Sequence, residues 1–115
     1  MSGKVTSSFK EDGVCVVELT GEISSNSEEE LQLALIDSFD LKCYFVIINV
    51  ANADNIYAPA FKIISWAAEV IVGNNGRIIL CGANSEVSEK LNIIGMDEVA
   101  ELCQNLEEAQ ELLFK

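Results

Sequence analysis

The feature that most constrains the fold is a nearly continuous apolar run near the middle of the chain, Tyr44–Val50. A strand with one face in water alternates apolar and polar residues, whereas a strand covered on both faces does not. Strands covered on both faces are typical of parallel sheets, because the connecting helices pack against either side. The run therefore predicts a strand in the middle of an α/β sheet. The polar segment that follows it, Ala51–Ile56, is predicted to be irregular.

Shorter runs of β-branched and apolar residues predict the other strands. These are a weak extended segment at Val5–Lys10, a strand at Val14–Leu19, a strand at Arg77–Cys81, and a short strand or extended piece at Val99–Cys103. Asp12 and Gly13 favour a hairpin between the first two segments. After Leu19 the residues Gly21, Glu22 and Ile23 are predicted to begin a loop.

Four helices are predicted between and after these strands, at about Ser27–Phe39, Tyr57–Gly73, Asn84–Ile94 and Asn105–Leu113. Their start signals are capping-box pairs (Ser27 with Glu30, Asn26 with Glu29, Asn105 with Glu108), Pro59 in a first turn, and Asn84 or Ser85 as a cap, with Gly95 as a stop. The alternation predicts a single α/β domain over residues 1–115. Its sheet is expected to be mixed and mostly parallel, with about four or five strands and about four helices.

The charge of the chain limits what it can bind. There are 7 Lys+Arg against 19 Asp+Glu, a net charge of −12, and the basic residues are scattered. Nucleic acids and anionic membranes require a basic face, so we expect neither as a partner. The charge either serves solubility or attracts a basic protein. The N-terminus lacks the apolar segment of a secretory signal and no apolar stretch approaches about 20 residues, so we expect a cytoplasmic protein.

The side chains that most catalytic and metal sites require are missing or scattered. Histidine is absent, which removes the commonest general base and metal ligand. The four cysteines, Cys15, Cys43, Cys81 and Cys103, show no C-x-x-C spacing and lie in or beside apolar runs. They predict free thiols rather than a disulfide or a metal site. The glycines of Gly73–Gly76 follow a helix, so they indicate a turn rather than a phosphate loop. We expect no enzyme activity, no metal and no cofactor.

The helix predicted at Tyr57–Gly73 has a wide apolar arc and a narrow polar stripe, formed by Lys62, Ser65 and Glu69. Trp66 lies beside this stripe, and two interpretations of it remain open. In the first, Trp66 packs at the edge of a buried helix. In the second, Trp66 meets a partner together with Tyr57 and Phe61, since aromatic anchors are common at interfaces.

Several motifs of the chain match one known pattern. The strand Val14–Leu19 with Thr20–Ile23 matches an apolar strand and an "L-x-G-E-L-D" loop, with Ser24 at the aspartate. The run Val46–Val50 matches an "hhhDL" strand, with Asn49 at the aspartate. A helix cap, an apolar helix face, a glycine and a final-helix alanine follow at Asn84, Val87, Leu91, Gly95 and Ala109. From Val14 to Leu113 the sequence resembles the STAS domain, the fold of the bacterial anti-sigma factor antagonists.

The family's "D-S-S-G-L" signature follows Ile56 and is lost here. Tyr57 replaces the aspartate, Ala58 the phosphorylated serine, Pro59 the second hydroxyl residue, Ala60 the glycine and Phe61 the leucine. The resemblance implies a partner-binding surface at Gly21, Glu22, Ile23 and Ser24 and at the helix start, with Tyr57, Ala58, Pro59, Phe61, Lys62 and Trp66. Because Ala58 has no hydroxyl to phosphorylate, this surface is expected to be constitutive and more hydrophobic.

The function that the resemblance implies is a non-enzymatic interaction module in bacterial transcription regulation or signalling. It would dock on an anti-sigma-type kinase or a similar regulator without control by serine phosphorylation. A first alternative is a structural or assembly subunit of stressosome-like or transporter-associated type, or a self-associating dimer. A second alternative is a small-molecule binder or an enzyme.

Overall fold

The computed structural model describes residues 3–9, 13–23 and 25–113. These residues form five strands and four helices, which alternate after an initial strand pair. They are β1 (Lys4–Phe9), β2 (Val14–Ile23), α1 (Ser25–Asp40), β3 (Phe45–Ile56), α2 (Ala58–Gly73), β4 (Arg77–Cys81), α3 (Ser85–Ile93), β5 (Glu101–Cys103) and α4 (Leu106–Leu113), with a 3₁₀ turn at Met96–Glu98 before β5. No helix in the described ranges is both long and apolar enough to cross a lipid bilayer.

The strands form one mixed sheet in the order β1-β2-β3-β4-β5. β1 pairs antiparallel with β2, and the remaining neighbours are parallel. The predicted α/β fold with a mostly parallel sheet is therefore confirmed, and β3 lies in its middle. The antiparallel pairing of the first two strands is as predicted, while Asp12 of the predicted turn lies outside the described residues. That residues 1–115 form a single domain stays a prediction.

Both faces of β3 are buried between Val46 and Ile48, as the apolar run predicts. Val46, Ile47 and Ile48 are all 0% exposed. Val46 and Ile48 belong to the larger apolar cluster, which includes residues of α1, α2 and α3. Ile47 belongs to a smaller cluster with Ala109 and Leu113 of α4. Three helices therefore cover one face of the sheet, and α4 covers the other.

Two segments that the sequence predicted as loops are strand. Gly21–Ile23 ends β2, and Ala51–Ile56 ends β3, so both predictions were wrong. The two segments pair with each other in parallel, with Gly21 opposite Ala53 and Ile23 opposite Ile56, across irregularities in register. Ala53 and Ile56 are buried, whereas Asn52 and Asp54 are exposed, so the second segment is a strand with one covered face. The bulges obscure the alternation of its residues.

The starts of the helices differ from the predictions at one place. α1 begins at Ser25, ahead of the predicted caps, so the capping boxes of Ser27 with Glu30 and of Asn26 with Glu29 were wrong. Ser27 lies inside the helix, and its fully buried hydroxyl has no hydrogen-bond partner among the described residues. The predicted caps of α3 and α4 are confirmed. The amides of Val87 and Glu108 each donate to the side chain of their predicted cap, Asn84 and Asn105, at 2.8 Å.

Two of the four thiols face each other across the parallel strands β4 and β5. Cys81 and Cys103 are paired in register, with Cys81 buried and Cys103 half-buried. Burial raises the pKa of the Cys81 thiol to about 12, and the neighbouring Cys103 adds to this shift. Burial also raises the pKa of the Cys103 thiol. A thiol with such a pKa stays protonated at neutral pH and is a poor nucleophile.

Candidate functional site

The start of α2 lies where β2 and β3 end at the same edge of the sheet. Ile23 and Ile56 are opposite each other in register, and the amide of Tyr57 donates to the carbonyl of Ile23 at 3.0 Å. Tyr57 is extended, with φ −102° and ψ 164°, and caps α2 without a side-chain hydrogen bond. The structure thus brings the end of β2 next to the start of α2, the two segments that the resemblance assigns to partner binding.

The first turn of α2 carries no group that could accept a phosphoryl transfer. Ala58 is exposed, and Pro59 and Ala60 follow it. There is also no acidic residue in this turn. Lys90 of α3 lies close by, with its Nζ 5.4 Å from the centre of the Tyr57 ring and donating to Oδ1 of Asn55. The helix start is therefore apolar with a local positive charge, in a chain whose net charge is −12.

A groove of about 620 Å³ runs between α2 and the segment that joins α3 to the 3₁₀ turn. A second depression of about 240 Å³ extends it to Tyr57, Lys90 and Ile93. The two share Ala58, Phe61 and Ile94, so we treat them as one surface and call it the α2–α3 groove. The position of the family's phosphorylated serine, Ala58, is part of its lining.

The rim of the α2–α3 groove is rich in exposed apolar side chains. They are Tyr57 (39% exposed), Trp66 (37%), Ile93 (77%), Ile94 (48%) and Val99 (36%). These are half of the large hydrophobic side chains that the described residues expose. Because single exposed apolar residues are ordinary but a contiguous group marks an interaction site, this groove is the best candidate for one.

The candidate residues of α2 take different places in this groove. Phe61 is 8% exposed and lies at its floor, while Lys62 is exposed at its side. Trp66 packs edge-on against Phe39 of α1, with ring centroids 5.7 Å apart, and also lines the groove. Trp66 therefore packs at the edge of α2 as the first interpretation predicts, and its contact with a partner stays a prediction.

The described candidate residues at the end of β2 do not line the groove. Ile23 is fully buried, Glu22 is exposed, and Gly21 is half-buried. Gly21 has a φ of 78°, a conformation that favours glycine. Ser24 lies outside the described residues. The segment at the end of β2 thus supports the start of α2 through the backbone, and Glu22 is its exposed side chain.

The second wall of the groove was missed by the sequence reasoning, which treated Ile93, Ile94 and Gly95 only as a helix end. Val87 and Leu91 form the buried face of α3. At about 100° per residue, Ile93 lies about 120° from Val87 around the helix, away from that face. An isoleucine on the side of α3 away from its buried face is the sequence signal that could have indicated this exposed apolar surface.

Comparison with known proteins agrees with this architecture. The family model described as STAS domain matches residues 9–109. No protein of curated function matches the sequence. Among solved structures, an anti-sigma factor antagonist from Mycobacterium paratuberculosis superposes with a TM-score of 0.88 at 18% identity, covering 99% of this chain and 96% of that one.

Two further structures are similar. A candidate anti-sigma factor antagonist from Thermotoga maritima gives a TM-score of 0.87 at 13% identity, with 96% of this chain and 95% of that one covered. The Bacillus cell fate determinant SpoIIAA in its phosphorylated form gives 0.75 at 14% identity, with 94% and 97% covered. At these identities the structures support the fold alone, whereas the family model spans most of the sequence. The chain therefore belongs to the STAS domain family.

Proposed function

We propose that this chain is a cytoplasmic, non-enzymatic regulator of the anti-sigma factor antagonist type. It docks on a regulatory protein, an anti-sigma-type kinase or a similar partner, and serine phosphorylation does not control the docking. The observation that carries the proposal is the exposed Ala58 at the start of α2, inside an apolar groove. The similarity to anti-sigma factor antagonists supports the partner class.

The chemistry of the helix start supports the absence of phosphorylation control. Phosphoryl transfer needs a hydroxyl in line with the γ-phosphate, and Ala58, Pro59 and Ala60 have none. The phenol of Tyr57 lies one residue earlier on a much longer arm, and Ser65 lies about two turns into α2. Binding would persist because the apolar rim of the groove does not depend on a charge switch.

A capture experiment with matched variants tests the binding surface. The full chain with an affinity tag is used to isolate partners from a lysate of its own organism. Tyr57→Ser should weaken capture of the main partner by about 1–3 kcal/mol if Tyr57 is an anchor. Phe45→Ser is the control, because Phe45 is an aromatic residue of similar exposure (40%) at the opposite end of β3. Equal capture by both variants would argue against this surface.

A mass measurement tests the regulation. The purified partner kinase is incubated with the wild-type chain and ATP, and the intact mass is recorded. We expect no added phosphate within residues 55–62, and phosphorylation there would contradict the proposal. The double variant Tyr57→Asp with Ala58→Ser is the positive control, since it restores an acidic residue and a hydroxyl.

A self-associating or assembly subunit is the second candidate function. The outer edge of β1 has no neighbouring strand among the described residues, and most of its side chains are exposed. An open edge is a template for pairing with another chain. Sedimentation equilibrium over a range of concentrations tests it: a concentration-dependent dimer would support this candidate, and a monomer throughout would count against it.

A further inference from the structure

The α2–α3 groove is long and straight along one side. Ala58, Lys62, Ser65 and Glu69 follow each other at three- or four-residue spacing and line the groove together. From Ala58 to Glu69 the helix rises by roughly 16 Å, or about three turns. The groove therefore has the length of a short helical segment rather than the shape of an enclosed ligand cavity.

The two ends of the groove carry opposite charges. Lys62 lies near the start of α2, and Lys90 lies over the ring of Tyr57 at the same end. Glu69 and Glu98 line the other end, and Glu98 also borders the surface next to Val72, the penultimate residue of α2. A partner segment with matching charges would bind in one register, because like charges would meet in the reverse arrangement.

The walls of the groove favour a helix over an extended peptide. An extended segment gains affinity mainly by pairing its backbone with an open sheet edge. Here the main walls are α2, whose backbone is bonded within the helix, and the segment from Ile94 to Val99. The amides of Ile94, Gly95, Glu98 and Val99 in that segment already donate within local turns. An extended segment would therefore lie in the groove with unpaired amides. A helix satisfies its own backbone and needs only apolar side chains to fill the groove.

We propose that the α2–α3 groove binds an amphipathic helix of a protein partner. Apolar side chains at i, i+3, i+4 and i+7 of that helix contact Phe61, Trp66, Ile94 and Val99. Acidic residues of the helix lie beside Lys62 and Lys90, and basic residues lie beside Glu69. This inference rests on the proposed function and specifies the chemistry of the partner.

A displayed library of helical peptides tests the charge arrangement. The peptides have fixed leucines at i, i+3, i+4 and i+7, and both ends are randomised to glutamate or lysine. Selection on the wild-type chain should enrich, by about tenfold, peptides with glutamates at one end and lysines at the other, given two rim charge pairs at each end.

Two double variants make both ends of the groove alike, so that reversal of the peptide cannot hide the effect. With Lys62→Glu and Lys90→Glu, both ends are acidic, and the selection should enrich lysine at both peptide ends. With Glu69→Lys and Glu98→Lys, both ends are basic, and the selection should enrich glutamate at both. All four side chains are exposed, so the fold should persist, and thermal melts check this. The proposal would be overturned if, in either folded variant, the charges selected at the peptide ends were not opposite to the charges of the groove.

The variant Ile94→Arg separates this inference from the proposed function. Ile94 is 48% exposed at the shared part of the groove, so an arginine there should block the helix without unfolding the chain. The selected peptides should lose binding to this variant, and retained binding would overturn the inference. If the natural partner is still captured by Ile94→Arg but not by Tyr57→Ser, the groove inference fails while the proposed function stands. If neither change affects capture, both fail.

Discussion

The starts of α2 and α4 differ in whether a side chain caps the free backbone amides of the first turn. At α4 the backbone amide of Glu108 donates a hydrogen bond to Oδ1 of Asn105 at 2.8 Å, and acidic residues occupy the first turn. At α2 the capping residue is Tyr57, which makes no side-chain hydrogen bond, and the first turn has no acidic residue. A good cap is worth about 1 kcal/mol, so α2 forgoes stability that α4 has.

The difference is explained by how the two helices are held. Seven residues of α2 are buried, whereas among the described residues of α4 only Ala109 and Leu113 are. A helix anchored along its length by the core tolerates a poor start, and a short helix with few anchors does not. Local rules are broken most often at functional sites, and the missing cap at the start of α2 is consistent with its being the candidate site.

The largest effect should come from the core face of α2. Ile64 is fully buried in that face, so Ile64→Ala should cost about 2–5 kcal/mol of unfolding free energy. Lys62→Ala, on the exposed side of the same helix, should change it by less than about 0.5 kcal/mol. Urea denaturation measures both. Similar costs for the two variants would mean that the core does not hold α2.

Alkaline pH should lower the stability of the fold through a thiol on the side of the sheet that α4 covers. Cys81 lies in the apolar cluster with Ala109 of α4, and its pKa of about 12 in the folded chain compares with the ordinary value of 9.0. Because the unfolded chain releases this proton first, the contribution of this thiol to stability is fully present below about pH 9 and is lost as the pH rises from about 9 to about 12. Cys81→Val should flatten much of this fall in denaturation curves. A wild-type chain as stable at pH 11 as at pH 8 would contradict the assignment.

The fold could be predicted in large part because the strong signals were local. The apolar run at Tyr44–Val50 showed the central strand, and Asn84 and Asn105 marked two helix starts through caps that the structure contains. The ends of β2 and β3 could not be predicted. Their strand conformation depends on pairing with each other across a bulged register, which is a long-range property.

The candidate site could be predicted only on one side. The motif resemblance indicated the start of α2, which is contiguous in sequence. The opposite wall, with Ile93, Ile94 and Val99, forms only when the end of α3 and the segment after it lie beside α2, and no motif carries that arrangement. The packing of Trp66 against Phe39 also depends on the fold, since helical periodicity placed Trp66 beside the polar stripe and could not show which element covers it.

A smaller effect is expected at the caps themselves. Asn105→Ala should cost about 1 kcal/mol, because it leaves the amide of Glu108 without its partner. Gln104→Ala, at the exposed neighbouring position, is the control and should be nearly neutral. Chemical denaturation gives both values. If Asn105→Ala lowers the free energy of unfolding no more than Gln104→Ala does, the cap of α4 does not stabilise the chain, and the contrast with the start of α2 fails.

A change in stability of similar size should come from giving α2 the cap that it lacks, and this change should weaken partner binding. Tyr57→Asp places an acceptor at the capping position and a negative charge at the positive helix end, so it should be more stable than Tyr57→Ala by about 1 kcal/mol. Tyr57→Asn supplies the acceptor without the charge and should lie between them. All three changes remove the ring that lies under Lys90 at the groove rim, so all three should weaken partner capture despite their different stabilities. Thermal melts and capture assays on the same preparations separate the two effects. If binding instead followed stability across the series, Tyr57 would serve the fold rather than the partner, and its poor capping would need another explanation.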